Sequence, residues 1–450
     1  MFIIRRGLLL LPLAGALWSL RWLPTIAATP LQGASPLGWY FDPLTHVFVL
    51  LLALGVAPLQ LGWRDTLRVL AAVGLLVPAL LAEHLLALPI TLVLVSGLLK
   101  SWRWFIASVV LLIALGLLLA LGGAGWHGPH TATLITSPIF LLLLAACCIG
   151  LGIYPAAIFA QAFDPLRLML QPLWLLPLLR AIAWGPWNTG WALATLLLGL
   201  VATLWACTTA LWGAPSRSRV DHIANTWLSM ALTCIGLLTP VGISAALWLV
   251  LSYPLSLGLL LRGSRWRWWA APLPPTAMFT ACWLVQGALA ASGTLLAAAV
   301  CWLATLLSGL AVLREHTEQP SASTTSPVDV VLLGLALGLG VLVPLPLRWL
   351  VIPAVELLQG GLTPFGLLDI WPWVGIAALD AGQRRVAVLP SIAVAVLMLV
   401  VAALVWLLAR IFGWIGNVPP DTAHNAQQSA ELWTSIQQRV WWAKGPKRRG

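Results

Sequence analysis

Residues 273–289 read LPPTAMFTACWLVQGAL, and this stretch decides how the rest of the chain is interpreted. Pro274 and Pro275 open it and an apolar run follows. Proline suits the first turn of a helix, because its missing N–H would have no partner there. The stretch therefore predicts a helix that begins near Pro275 and is long enough to cross a membrane. Phe279 and Trp283 are spaced to share one face of that helix.

The composition of the whole chain agrees with a membrane protein. The 450 residues are 61% hydrophobic and only 8% charged, whereas a soluble domain has about 25% charged residues. The apolar runs are close to the length of a membrane-spanning helix, and a barrel would instead show short alternating segments. We therefore predict an all-α fold, a polytopic transmembrane bundle of about 14 helices, which includes continuous helices at about 166–184 and 189–212.

The net charge of +11 does not indicate a nucleic-acid-binding protein. Most arginines stand singly or in pairs between apolar runs, as they do in the cytoplasmic loops of membrane proteins. The six cysteines all lie within apolar runs and lack metal-ligand spacing: Cys147, Cys148, Cys207, Cys234, Cys282 and Cys301. The sequence also has no Gly-rich phosphate loop and no nucleophile triad, so we expect no catalytic residue, no metal and no cofactor.

The basic residues predict the orientation of the helices. With the N-terminus on the cytoplasmic side, the basic loops fall on that side: Arg64/Arg68, Lys100/Arg103, Arg217/Arg219, Arg262/Arg265/Arg267 and Arg314. The loops at 29–42, 122–131 and 185–188 have few basic residues and fall outside. Arg5 and Arg6 precede an apolar stretch without a clear cleavage site, so we expect a retained first helix. The expected location is the bacterial plasma membrane.

Changes in composition divide the chain into four parts. We expect a bundle of helices 1–12 at residues 1–314, a polar linker at 315–328, C-terminal transmembrane helices at 329–416 and a polar basic tail at 417–450. Residues 350–358 and 367–379 are each read as a short span, a re-entrant piece or an interfacial helix. The tail contains a pattern typical of a membrane-surface helix.

Ionisable residues at membrane depth are the candidates for a proton path, because they are costly there and often functional. Five are selected: Glu83, His84, Arg167, Arg180 and Glu356. All but Glu356 have a simpler interpretation as well. Glu83 and His84 fall at a turn, Arg167 is spaced to pair with Asp164, and Arg180 is close enough to a helix end to reach the interface.

Several segments, in order, carry a resemblance to a known family. They are WYFDPLT at 39–45, AEHLL at 82–86, GLG at 150–152, LLR at 178–180 and the LPP helix itself. Together they resemble the antiporter-like proton-channel subunits of respiratory complex I, membrane-bound hydrogenases and multisubunit cation/proton antiporters. The residues that match the family's structural motifs are Asp42, Pro274, Pro275, Phe279 and Trp283. The resemblance implies that family's helical fold over residues 35–345.

The chain departs from the family where the proton path would lie. Members of the family carry a buried series of Glu, Lys and His near the bilayer centre. The matching positions here are Val93, Tyr154, Pro172, Cys282 and the lysine-free segment 251–258. A proton relay needs titratable groups or ordered water at hydrogen-bond spacing. The resemblance therefore implies a subunit whose own proton channel is degenerate.

The resemblance implies a non-catalytic membrane subunit of a proton-translocating respiratory complex, like NADH:quinone oxidoreductase or a hydrogenase, or of a cation/proton antiporter complex. Its expected partners are other membrane subunits and the lipid bilayer, not nucleic acid. The subunit either has a structural role or conducts protons by a different route. Two alternatives stay open: a stand-alone transporter of an apolar or lipid-like solute, and a membrane anchor for a soluble enzyme.

Overall fold

The computed structural model describes residues 42–57, 59, 63–121, 136–158, 163–183, 188–212, 216–262, 266–318 and 327–358. It also describes the backbone of 367–371, 376–379 and 384–387, and residue 400. The expected first helix and the basic tail lie outside these residues, as does almost all of the expected last span. The helices and strands that follow belong to one compact unit, Met1–Ala395, and only residue 400, which is helical, is described in the second unit, Val396–Gly450.

The described part of the chain is a bundle of helices. Its first half contains α1 (Pro43–Val56), α2 (Trp63–Leu81), α3 (Ala87–Leu99), α4 (Trp102–Ala120), α5 (Ser137–Leu151), a 3₁₀ turn (Ala156–Ile158), α6 (Pro165–Leu170), a second 3₁₀ segment (Gln171–Leu175) and α7 (Leu176–Ala183). Its second half contains α8 (Thr189–Trp212), α9 (Ser216–Ile235), α10 (Pro240–Leu261), a 3₁₀ turn (Arg267–Ala270), α11 (Ala277–Ala291), α12 (Leu295–Glu318) and α13 (Pro327–Val341). A three-residue turn α14 (Pro344–Pro346), a π-helical segment (Leu347–Val351) and α15 (Ile352–Leu357) follow.

Four helices of the described residues are long and apolar enough to cross a membrane: α4, α8, α10 and α12. They differ in how far the bundle covers them. α10 is apolar on all sides and entirely buried, whereas α8 is only 33% buried. A helix that is apolar all round belongs in an interior, so α10 forms the centre of the bundle and α8 lies on its outside. The predicted all-α membrane bundle is confirmed.

The segment at 165–183 corrects one expectation. The sequence predicted one continuous helix at 166–184, but the structure divides it into α6, the 3₁₀ segment and α7. Pro172 lies at the start of the 3₁₀ segment and Pro177 at the start of α7. Proline has no N–H to donate and its ring clashes with the preceding turn, which breaks a helix. The break lies at a buried position in the bundle.

The LPP stretch forms a turn followed by α11. Pro274 and Pro275 are joined by a cis peptide bond and lie in the turn before the helix, not in its first turn as predicted. Thr276 caps the helix, because its hydroxyl accepts a hydrogen bond from the Phe279 N–H at 3.2 Å. Phe279 and Trp283 are both buried.

The C-terminal part differs from the prediction in two ways. α12 continues to Glu318 and α13 begins at Pro327, so any linker between them starts later than residue 315. In the predicted helical piece at 367–379, the described residues form strands instead, β1 (Leu367–Trp371) and β2 (Ile376–Leu379), and β3 (Arg384–Ala387) follows. The three strands form one antiparallel sheet in the order β1-β2-β3.

Candidate functional site

One end of the bundle is closed by a buried ion pair. Asp42, the N-cap of α1, pairs with Arg180 of α7, and both side chains are at most 5% exposed. The other carboxylate oxygen of Asp42 accepts the Thr45 N–H at 2.6 Å. Arg180 also donates to the Thr45 hydroxyl at 2.6 Å, and that hydroxyl donates to the Leu80 carbonyl at 3.5 Å. The cluster therefore joins α1, α2 and α7.

The opposite end, which we call the basic end, carries the other buried arginines. It comprises the residues that contact these arginines, the half-buried Arg68, the exposed Lys100 and Arg314, and the buried side chains of Arg103, Arg167, Arg219, Arg262 and Arg267. Each ion pair joins residues for which the sequence predicts the same side of the membrane. The packing is thus consistent with the prediction that successive helices cross the membrane in opposite directions.

The first part of the basic end corrects a predicted pairing. Asp164 does not pair with Arg167; it pairs with Arg68 of α2 at 3.0 Å, and its second oxygen caps α6 through the Leu166 N–H at 3.0 Å. Arg167 instead pairs with Asp221 of α9 at 3.5 Å. Arg68 and Asp221 thus hold the start of the broken helix from two sides.

The second part is centred on one carboxylate. Glu315 of α12 is buried and lies 3.0 Å from Arg219 of α9 and 4.0 Å from Arg267 in the 3₁₀ turn. Arg267 also donates to the backbone carbonyl of Glu315 at 3.2 Å. Burial lowers the pKa of the Arg267 guanidinium, and Glu315 opposes that change. Arginine stays protonated in proteins, so Glu315 faces two permanent positive charges.

A third pair completes the basic end. Arg262, at the C-terminus of α10, pairs with Asp329 in the first turn of α13, and both side chains are buried. The charge near each helix end also suits the helix dipole, because a cation is favoured at a C-terminus and an anion at an N-terminus. The pair fixes α13 to the central helix.

The middle of the bundle has neutral polar groups where the family has charged ones. Cys282 is buried on α11, and Pro172 lies in the 3₁₀ break. At that break the Tyr253 hydroxyl donates to the Leu168 carbonyl at 2.9 Å and approaches the Gln171 side-chain oxygen at 3.4 Å. These groups form hydrogen bonds that satisfy a freed carbonyl of the broken helix.

The other proton-path candidates lie apart from these clusters. Glu83 is half-buried in the connection between α2 and α3, and His84 is exposed, with its Nδ1 accepting the Leu86 N–H at 3.2 Å. Glu356 is exposed on α15. Arg167 and Arg180 are held in separate ion pairs near opposite ends of a broken helix, roughly 20 Å apart at 1.5 Å per residue.

The LPP turn is held from two sides. A side chain at Gly340 of α13 would overlap the Pro275 carbonyl. The Thr280 hydroxyl donates to the Gly340 carbonyl at 3.3 Å, and the Ser252 hydroxyl of α10 donates to the Ala277 carbonyl at 3.2 Å. The motif residues therefore position the contact between α10, α11 and α13.

The sequence analysis places the basic residues of this end on one side of the membrane, but it does not select the acids that pair with them. Glu315 was expected in a polar linker, and Asp329 was not selected. One signal was available for both residues: each is an acid that lies next to an apolar run. Several basic residues lie next to apolar runs on other helices and are possible partners. Which acid pairs with which arginine depends on helix packing, and a single sequence does not contain that information.

No metal site is built from these residues. In the described ranges, no group of three or more His, Cys, Asp or Glu side chains is arranged to hold a metal ion. The six cysteines are free and buried. The ion pairs described above connect neighbouring helices at both ends of the bundle.

Comparison of the sequence with protein-family models and with curated proteins finds no match. Comparison of the structure does find matches. A chain of the Mrp complex from Dietzia sp. DQ12-45-1b is 15% identical with a TM-score of 0.64, and the match covers 80% of this chain and 94% of that one. A chain of respiratory complex I from Thermus thermophilus with bound NADH is 17% identical with a TM-score of 0.58, covering 79% and 97%.

A third solved structure aligns along nearly the whole chain. A chain of the membrane-bound sulfane sulfur reductase, an archaeal respiratory membrane complex, is 15% identical with a TM-score of 0.59, and the match covers 99% of this chain and 95% of that one. At these identities the likeness shows the fold. The predicted resemblance is confirmed at that level: this chain has the fold of the antiporter-like membrane subunits.

Proposed function

We propose that this chain is a membrane subunit of a multisubunit ion-translocating complex, of the respiratory or the cation/proton antiporter kind, in which it has a structural role. The fold supports the first part of this proposal. Each of the three similar chains is part of a membrane complex, and the match extends over most of this chain and of each of them.

The observation that carries the structural role is where the charges lie. The buried charges described above are paired near the ends of the helices, whereas the middle holds Cys282, Tyr253 and Gln171. A thiol, a phenol and an amide are neutral at pH 7. A relay through the bilayer centre needs groups that exchange protons near neutral pH, so this interior favours a seal or spacer over a conductor.

The experiment is a pull-down of the tagged protein from its native membrane in a mild detergent, with partners identified by mass spectrometry. We expect recovery of further membrane subunits together with the soluble or redox subunits of one complex. An unrelated membrane protein with the same tag and similar expression is the control, because it measures non-specific capture of abundant complexes.

Three results would contradict the proposal in different ways. A monodisperse protein without partners would favour a stand-alone carrier, and vesicle assays with lipid-like solutes would follow. Recovery of one soluble enzyme that is lost when residues 432–450 are deleted would favour an anchor. Recovery of the complex together with lost ion translocation after substitution of Glu83 or Glu356 would keep the membership and refute the structural role.

A further inference from the structure

One buried arginine at the basic end is not matched by a carboxylate of its own. Arg103 of α4 is 6% exposed. Its Nε has no hydrogen-bond partner, and within the described ranges none of the ion pairs includes it. Buried charges in proteins are normally paired or coordinated, so the position of this guanidinium requires an explanation.

The surrounding chain is shaped to hold the guanidinium. Gly152, after α5, has φ of +68°, and a side chain there would overlap the Arg103 guanidinium. Asn225 of α9 is 5% exposed, and its amide donates to the Gly152 carbonyl at 3.0 Å. A left-handed glycine and a buried asparagine from another helix thus form one wall of a built site.

Within the described residues no carboxylate forms an ion pair with Arg103. Arg167 and Asp221 are its electrostatic neighbours, and Asp221 pairs with Arg167 at 3.5 Å. The adjacent Arg68 lies 3.0 Å from Asp164 and 3.8 Å from Asp65. Because arginine does not release its proton in proteins, Arg103 keeps its positive charge at a buried position while the nearest carboxylate is held by another arginine.

We propose that Arg103 anchors a binding site for a phosphate-type oxyanion at the basic end of the bundle. The planar guanidinium fork matches the geometry of phosphate oxygens. The Oδ1 atoms of Asp221 and Asn225 also lack partners. They accept hydrogen bonds from the hydroxyl of a protonated phosphate or from a bridging water.

Two sources supply this chemistry: the phosphate of a lipid headgroup and free inorganic phosphate. The neighbouring Trp102 is 46% exposed, which is typical of tryptophan at the membrane–water interface. Lys100 is exposed at the same corner. The proposal concerns this chain alone, so it does not depend on membership of a complex.

Native mass spectrometry of the full-length purified protein tests the site and separates the two sources. One sample is stripped of lipid and titrated with sodium phosphate, with sodium chloride of equal ionic strength as the reference. A second sample is purified with its native lipids and analysed for retained phospholipid. We expect one bound phosphate-type anion per chain, as a phosphate adduct in the first sample or a retained phospholipid in the second.

Arg103→Gln is expected to weaken that binding by about tenfold or more, because the anion loses one charge-assisted hydrogen-bonding partner. Lys100→Gln is the matched control, since it removes a cation from the same corner but from an exposed position, and should change binding less than about twofold. Absence of binding to the wild-type chain would overturn the proposal. So would equal binding by Arg103→Gln, or an equal loss in Lys100→Gln.

A second variant keeps the test valid if Arg103→Gln fails to fold. Asp221→Asn removes the carboxylate that competes for the two guanidinium groups while it keeps the shape of the side chain. The anion site should then bind phosphate about tenfold more tightly, since the local positive charge rises by one. Unchanged or weaker binding in a folded Asp221→Asn protein would contradict the assignment.

Discussion

The two ends of the bundle carry their buried charges in different ways. At one end, Asp42 and Arg180 form an ion pair in which both side chains also hydrogen-bond to Thr45. At the basic end, Glu315 lies between two arginines, and Asp221 is paired with one arginine beside another. The first end is a local clasp, whereas the second is a network in which the loss of one acid leaves more than one charge uncompensated.

The largest effect should come from the shared acid of the network. Glu315→Gln removes the buried carboxylate that Arg219 and Arg267 share, and we expect it to lower the free energy of unfolding by about 3–5 kcal/mol. Thermal or denaturant unfolding of the detergent-purified protein measures this. Glu356→Gln is the matched control, because Glu356 is exposed, and it should change stability by less than about 0.5 kcal/mol. Equal effects of the two changes would refute the network.

The two charged side chains of the clasp at the other end should depend on each other. Asp42→Asn or Arg180→Met alone leaves one charge buried, so each should cost about 3 kcal/mol. The double variant should lose less than the sum of the singles, by a coupling of about 1–3 kcal/mol. The four unfolding free energies of this cycle provide the check. Strict additivity would show that the two side chains do not depend on each other.

A smaller effect should separate two glycines of α13. Gly340→Ala places a methyl group against the Pro275 carbonyl, and such overpacking costs about 1–3 kcal/mol. Gly338 has nothing within 4 Å of its Cβ position. Alanine there should be neutral or stabilise the helix by up to about 1 kcal/mol. Unfolding of the two variants side by side tests whether the LPP turn is as tightly packed as the structure has it. A Gly340→Ala protein that is no less stable than Gly338→Ala would contradict that packing.

The neutral middle should tolerate change best. Cys282→Ser keeps a small polar group at the position where the family has a charged residue, and we expect a loss of at most about 1–2 kcal/mol. Ion translocation by the membrane complex should not change. A specific loss of translocation with normal assembly would place Cys282 in a path and contradict a neutral, non-conducting interior.

The fold was largely predictable from the sequence, and the site was not. The expected helix at 189–212 has the same bounds in the structure. A long apolar run in a membrane forms a helix because only a helix satisfies all of its backbone hydrogen bonds within the segment. The break at Pro172 was missed because proline is tolerated in membrane helices and does not always divide them. The strands at 367–379 were missed because short apolar runs suit either structure.

The candidate residues show the same limit. Asp42 was selected from a motif and Arg180 from its depth, and packing brings the two together. Glu315 was placed in a linker because a polar stretch follows it, although α12 buries it. Partners that are far apart in sequence become visible only when helices are packed.

The most direct test of the account is ion translocation by the proposed native complex when this chain carries both Glu83→Gln and Glu356→Gln. The two carboxylates are the acids among the proton-path candidates, and neither lies in the described ion pairs. We predict the same number of ions moved per turnover as in the wild-type complex. Loss of translocation with unchanged assembly and turnover would show that protons pass through this chain.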